Sequence, residues 1–397
     1  MRGRIPYFRL SGFYFFYFAT LGVVMPYWAV YLQSLGFGGA AIGELMAVLA
    51  ATKIVAPNVW GWIADRSGRL MRVIRLAALL APACFVATFF ARDPASMALA
   101  MAGFGFFWNA ALPQFEAVTL NHLGDRSHQY TRIRLWGSLG FITTVGSLGL
   151  VLEHARPAVI LPVLMGLYVV IWLTSLTVPE RVSRQRQQAQ ASLRQLLGKR
   201  EVLALFGVCF LVQASHGPYY TFFTIYLQQL GYSSGVVGQL WALGVAAEVG
   251  IFLVMPRLMR GVGARRLLLA ALALSVVRWT GIATLAAYPA AVVAAQTLHL
   301  ASFGINHAVA IDYIHRFFRG RNQGRGQALY SSIGFGAGVA AGSLASGYVW
   351  DLGGGPAIFG MAAALAAGAL LLAAVAIPPD AERRVNELAF RTLPRAV

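Results

Sequence analysis

Tyr31-Leu-Gln-Ser-Leu-Gly-Phe37, continuing to Gly43-Glu-Leu45, returns 195 residues later as Tyr226-Leu-Gln-Gln-Leu-Gly-Tyr232, continuing to Gly238-Gln-Leu240. At an offset of 194, Leu135-Trp-Gly-Ser-Leu-Gly-Phe141 returns as Leu329-Tyr-Ser-Ser-Ile-Gly-Phe335. Segments repeated in the same order mean that the chain carries two parallel copies of one unit. Between and around these segments run apolar stretches of roughly 20 residues, the length that crosses a ~30 Å hydrocarbon layer.

Composition agrees. Of 397 residues, 58% are hydrophobic and only 12% charged, about half the charge fraction of an ordinary soluble domain. Mean hydropathy is +0.65. The breakers between apolar runs predict an all-α integral membrane protein of twelve helices, near 8–34, 41–63, 71–91, 95–122, 132–153, 157–178, 202–230, 235–256, 265–287, 290–316, 327–350 and 355–377. The Arg- and Gln-rich segment after Pro179 divides them. Residues 1–178 form an N-terminal six-helix half, 179–200 a linker, 201–378 a C-terminal half and 379–397 a tail.

A net charge of +18 and a pI near 10.6 would suit a nucleic-acid partner, but the basic residues fall in alternate loops. Arg66, Arg69, Arg72 and Arg75, for example, share a side with Arg181, Arg265 and Arg316, whereas the opposite loops hold only Arg92 and Arg156. This is the positive-inside pattern. It predicts a multi-pass protein of a bacterial cytoplasmic (inner) membrane with both termini cytoplasmic, a lipid bilayer as surroundings and no nucleic-acid partner. Cys84 and Cys209 lie far apart in apolar runs and predict neither a disulfide framework nor a metal site. The chain has no His-Glu-x-x-His, Gly-x-Ser-x-Gly, P-loop or Cys-x-x-Cys, so an enzyme is not expected.

A charge at the bilayer centre costs roughly 2.5–3.5 kcal/mol and ordinarily lines a cavity or pairs. Lys53, Glu116, Glu248 and Arg278 fall inside apolar runs, and Arg134 opens one. Lys53 and Glu248 occupy equivalent places in the repeat. Gln296, His299, Phe303 and Asn306 follow i, i+3, i+7, i+10 spacing, and Asn109 shares a helix face with Glu116. Tyr14 and Tyr17 offer aromatic surface with polar tips, while Tyr27 and Trp28 read as an interfacial belt. Lys53, Arg134 and Arg278 outnumber Glu116 and Glu248 by one cation, which favours an anionic substrate such as an aromatic carboxylate. That inference fails if Asp312 is also buried, because it would cancel the excess.

The loop Gly61-Trp-Ile-Ala-Asp65-Arg66-Ser-Gly68-Arg69, together with the parallel halves, resembles the signature of the major facilitator superfamily. The resemblance implies secondary transport by alternating access at a midplane site. Asp65, Arg66, Gly68 and Arg69 would then act as a conformational switch. The spacing from Glu116 to Arg134, with Gly137 and Gly140 beyond, resembles the lactose permease family, as does Arg278 followed by Thr297-Leu298-His299. Arg134-Leu-Trp-Gly-Ser138, Ala247-Glu248-Val249 and Leu298-His-x-x-Ser-Phe-Gly304 resemble the phenylpropionate permease branch of these proton symporters, beside which stand the nucleoside symporters. The resemblance implies substrate contacts at Glu116 and Arg134 and proton coupling through Arg278 and His299. Placement in apolar runs adds Asn109, Lys53, Tyr17 and Asn306 to the expected substrate site and Glu248 to the coupling group. Ser302 stands where the lactose permease family has its proton-carrying glutamate, so Glu248 is the candidate carrier. The expected partners are a small-molecule substrate and protons, with no cofactor beyond the coupling proton, and a monomer. Symport of a sugar or nucleoside, drug or metabolite efflux, and a non-transporting receptor or scaffold are the alternatives.

Overall fold

The computed structural model of the chain describes residues 5–181, 196–318 and 322–379, so most of the expected linker and tail lie outside the described residues. Helices α1 to α6 are Tyr7–Ser34, Gly39–Ser67, Leu70–Phe85, Pro94–Leu123, Tyr130–Val151 and Ile160–Thr177. Helices α7 to α9 are Arg200–Gln229, Ser234–Gly261 and Ala264–Leu285. α10 consists of Pro289–Thr297, the π-helical turn Leu300–Ile305 and Asn306–Phe317. Asn322–Tyr330 runs through a second π-helical turn, Ser331–Gly338, into Val339–Ala376. The described residues contain no strand.

Among the described residues nine helical runs are long and apolar enough to cross a membrane. One of them, Asn322–Ala376, has 55 residues, which at 1.5 Å per residue would reach about 80 Å, far more than one crossing needs. It is broken at Gly353 and at Gly354, whose φ of 58° is open to glycine at little cost. We call residues 322–352 α11 and 355–376 α12. With α5, whose first turns carry Arg132 and Arg134, and the interrupted α10, the set is consistent with twelve crossings.

α6 ends and α7 begins on one face of the bundle, here called the linker side. Arginines from the basic loops cap helix ends there. Arg75 donates to the carbonyls of Ser175 (3.3 Å) and Val178 (2.8 Å), and Arg9 to Thr177 (3.0 Å). In the second half, Arg265 donates to Ile377 (2.7 Å) and Ala374 (2.9 Å). These bonds satisfy carbonyls that the last turns of α6 and α12 would otherwise leave without partners.

The opposite, far side is closed. A Cβ on Gly43 of α2 would sit 2.6 Å from Gly347 Cα of α11. One on Gly238 of α8 would sit 2.6 Å from Tyr27 Oη and 2.7 Å from Val145 O of α5. Only glycine permits these approaches. Hydrogen bonds flank them. Glu153, after α5, accepts from Ser233 Oγ (2.5 Å) and Gly235 N (3.2 Å) at the start of α8. Asp351, at the end of α11, accepts from Ala40 N (3.1 Å) at the start of α2, and Tyr348 donates to Glu44 (2.5 Å). Tyr27 and Trp28 belong to this packing and are 0% exposed. Tyr27 donates to Val145 O and Trp28 to Met101 Sδ. They are not the interfacial belt that their sequence position suggests, because both polar tips find partners inside the protein.

On the same side Asp93 caps α4, accepting from Ser96 Oγ (2.6 Å) and from the amides of Ser96 and Ala95 (both 3.0 Å). Those bonds, the Ser96 hydroxyl foremost, hold its carboxyl below the ordinary range. A carboxylate pKa lowered by folding stabilises above its unfolded value, and the gain is lost as pH falls through the lowered one. Asp93→Ala should therefore lower the thermal midpoint in detergent at pH 7. The difference from the parent protein should close as the pH is taken below about 4.

Candidate functional site

Between the linker side and the far-side closure lie partly exposed charged side chains, Arg134 in the first turns of its helix and the others further along theirs. In the first half they are Lys53 on α2, Glu116 on α4 and Arg134 on α5; in the second, Glu248 on α8 and His307 on α10. Arg134 stands within electrostatic range of Glu116 in its own half and of Glu248 and His307 in the other. Glu116, Arg134, Glu248 and His307 therefore share one central cavity between the halves, and His307 lines a pocket there with Phe303 and Tyr330.

The first-half wall is aromatic. Glu116 accepts from Tyr130 Oη (3.2 Å), and the Arg134 guanidinium lies 3.7 Å from the centre of the Phe18 ring. Among the described residues no carboxylate comes within 4.0 Å of Arg134, Lys53 or Arg278, whereas His299 and Glu248 approach within that distance. Asn109 is 5% exposed and donates to Thr52 Oγ1 (2.8 Å), tying α4 to α2 beside Lys53. Tyr17 is 3% exposed; its ring stacks on Trp108 and its hydroxyl meets the Trp108 carbonyl.

In the second half, glycines bring α8 against α10. Gly244 faces His299, and Gly304 faces Glu248. The His299 Nε2 to Glu248 Oε2 separation is 3.7 Å, an ion pair only when the imidazole is protonated. Behind them Arg278 is fully buried and makes three charge-assisted bonds to neutral acceptors. These are Ser302 Oγ (2.7 Å), Gln296 Oε1 (3.0 Å) and Ala295 O (3.0 Å). Tyr219 and Trp279 cover its faces at 4.5 and 4.2 Å, a cation–π arrangement that partly replaces water. Gln296 in turn is held by Tyr219 Oη and Leu240 O.

The family model described as "MFS_1 like family" matches residues 7–361. A probable 3-phenylpropionic acid transporter of Escherichia coli (strain K12) is 32% identical over 92% of this chain and 96% of its own. The chain belongs to the MFS_1-like family and is a major facilitator transporter. A maltose permease of Geobacillus stearothermophilus is 28% identical over 86% of this chain and 88% of its own. A mutant form of the nucleoside transporter NupG superposes with a TM-score of 0.83 at 16% identity, covering 94% of this chain and 100% of that one. That likeness speaks for the fold alone.

In this transporter the expected site residues separate into groups. Glu116, Arg134 and Glu248 lie together around the cavity, and Lys53 is partly exposed midway along α2. Tyr17, Asn109 and Arg278 are packed away from it by the bonds above, while Asn306, whose Nδ2 donates to Ser302 O (3.0 Å), lines a pocket beside His307. The polar stripe on α10 also needs correction. The π-helical turn Leu300–Ile305 adds residues to the turn and shifts the register. The face it presents is His299, Phe303 and His307, stacked at centroid spacings of 5.4 and 5.7 Å with interplanar angles of 17° and 11°. His307 is the cavity residue that helical spacing missed. In the signature loop, Gly68 ends α2 with φ 63°, and Arg66 lies 4.0 Å over the Trp62 ring. Asp65 makes no ion pair among the described residues. Asp312 pairs with Arg316 at 2.6 Å and is about one-third exposed, so it adds no buried, unpaired carboxylate to the count of intramembrane charges.

Proposed function

We propose that the protein is a proton-coupled symporter of a small aromatic carboxylate. The observation that carries the substrate class is the set of three intramembrane cations, Lys53, Arg134 and Arg278, without a carboxylate within 4.0 Å among the described residues. An enclosed positive field of this kind is balanced best by an anionic ligand. Phenyl and indole surfaces around the cavity suit an aromatic body, and the 32% identical relative, a probable 3-phenylpropionic acid transporter, points the same way. Glu248 is the proton carrier of this reading, with His299 as its neighbour and Arg278 as the fixed charge behind them. Lys53, Glu116 and Arg134 supply substrate contacts. The halves 1–178 and 201–378 rock about the cavity, and the Asp65 loop takes part in that switch. The linker side faces the cytoplasm of a bacterial inner membrane.

The maltose permease relative favours one second reading, a neutral sugar held by Glu116. A thermal-shift panel of aromatic acids, sugars and nucleosides on the purified protein separates the two. Stabilisation by 3-phenylpropionate well beyond that by its neutral amide, and none by sugars, is the expected result. Stabilisation confined to sugars would overturn the carboxylate reading.

A further inference from the structure

His307 belongs to no group assigned above, yet its two ring nitrogens have distinct surroundings. Nδ1 lies 2.8 Å from Tyr330 Oη, and that bond ties α10 to α11. Nε2 has no partner among the described residues, although the ring is wedged between Phe303, Phe335 and Tyr330 with Phe252 beside it. The side chain is partly exposed to the cavity. The charged and titratable groups facing it from neighbouring elements are Arg134 on α5, Tyr330 on α11 with Cys209 and Tyr220 of α7 behind it, and Glu248 against Gly304 one turn away.

Acid–base matching sets the direction of the Tyr330 bond. A phenol O–H, with an ordinary pKa near 10, is a far stronger acid than the N–H of a neutral imidazole, and an imidazole nitrogen, with an ordinary conjugate-acid pKa near 6.5, is a far stronger base than a phenol oxygen. Tyr330 therefore donates and Nδ1 accepts. A neutral imidazole that accepts at one nitrogen carries its proton on the other. The Nε2–H is thus a donor without a partner among the described residues, on a side chain within electrostatic range of Arg134 in the opposite half.

We propose that His307 is a substrate-binding residue whose Nε2–H, with the Arg134 guanidinium, receives the anionic group of the substrate, Tyr330 holding the tautomer that makes this possible. The proposal rests on the carboxylate reading and deepens it. One carboxylate has two oxygens, so it can accept from Arg134 in the first half and from His307 in the second at once. Binding then draws α5 towards α10, which gives an anion a differential hold on the state with the linker side closed. The ring of an aromatic acid would lie against Phe303.

The test uses the purified full-length protein, two probes and two variants. The probes are 3-phenylpropionate and its uncharged amide, with binding measured by calorimetry. His307→Phe keeps the aromatic stack and removes the donor. It should weaken the carboxylate roughly tenfold or more, the usual worth of a hydrogen bond to a charged group, and leave the amide within twofold. His307→Gln restores a terminal N–H and should recover the carboxylate to within a few-fold. Unchanged carboxylate affinity in His307→Phe would overturn the proposal. The tautomer is read separately from nitrogen-15 spectra of histidine-labelled protein, with His307→Phe identifying the signal. A proton on Nε2 supports the proposal, and a proton on Nδ1 overturns it. Should the parent protein bind neither probe, the carboxylate reading fails on that result, and the proton position still decides whether His307 is the donor described.

Discussion

Replacing Glu248 by glutamine should leave a protein that exchanges substrate across the membrane but no longer accumulates it. Coupling by a carboxylate needs a group that gains and loses a proton during the cycle, and glutamine keeps the shape while losing that property. Glu248 sits in the inner wall against Gly304, 3.7 Å from His299 and within range of Arg134. One pH unit is equivalent to ~1.36 kcal/mol per proton, so one-to-one symport supports about tenfold accumulation for each unit of gradient. Glu248→Gln should reduce that ratio to about one, whereas counterflow between equal internal and external pools stays within a few-fold of the parent. Loss of counterflow as well would make Glu248 a substrate ligand and not the proton carrier.

The second large effect is expected at the far side. Gly43 meets Gly347, and Gly238 meets Val145 O and Tyr27 Oη, at distances that leave no room for a side chain. The obstructing atoms at Gly43 are backbone, which cannot rotate aside as a flexible side-chain tip could. Overpacking of this kind typically costs 1–3 kcal/mol per site, enough at two sites to invert a two-state balance of a few kcal/mol. The Gly43→Val, Gly238→Val double variant should therefore hold the far side open. Transport should fall to below a tenth of the parent rate while substrate binding persists. Electron-resonance distances between labels at Ala155→Cys and Tyr288→Cys, in a background without Cys84 and Cys209, should lengthen. Parent-like distances together with parent-like transport would show that the glycine contacts do not form the closure.

Much of the fold was legible because its determinants are local or repetitive. Apolar runs, glycine breakers and the arginine pattern set the helices and their alternation, and Tyr31–Phe37 with its copy established the duplication. Lys53, Glu116, Arg134 and Glu248 stood out because a charge in an apolar run has few innocent explanations. What sequence hid was the rotation of side chains. The inserted residues of the π-helical turn carry no composition signal, so ideal spacing placed Asn306 on the cavity face that His307 occupies. Tyr27 and Trp28 read as belt residues because the backbone carbonyl and the thioether they reach lie more than 70 residues away. Ser302 looked like a missing carboxylate, yet it accepts from Arg278 Nη1 at 2.7 Å, a neutral acceptor in place of a charged one. Glu153 and Asp351 gave no hint of their role, since each caps the start of a helix in the other half.

The most direct test of proton-coupled carboxylate symport is uptake of labelled 3-phenylpropionate into proteoliposomes, with and without an inward proton gradient. The account predicts transient accumulation above the external concentration under the gradient, simple equilibration without it, and alkalinisation of a weakly buffered exterior when substrate is added. Uptake that saturates and yet is indifferent to the gradient would contradict it.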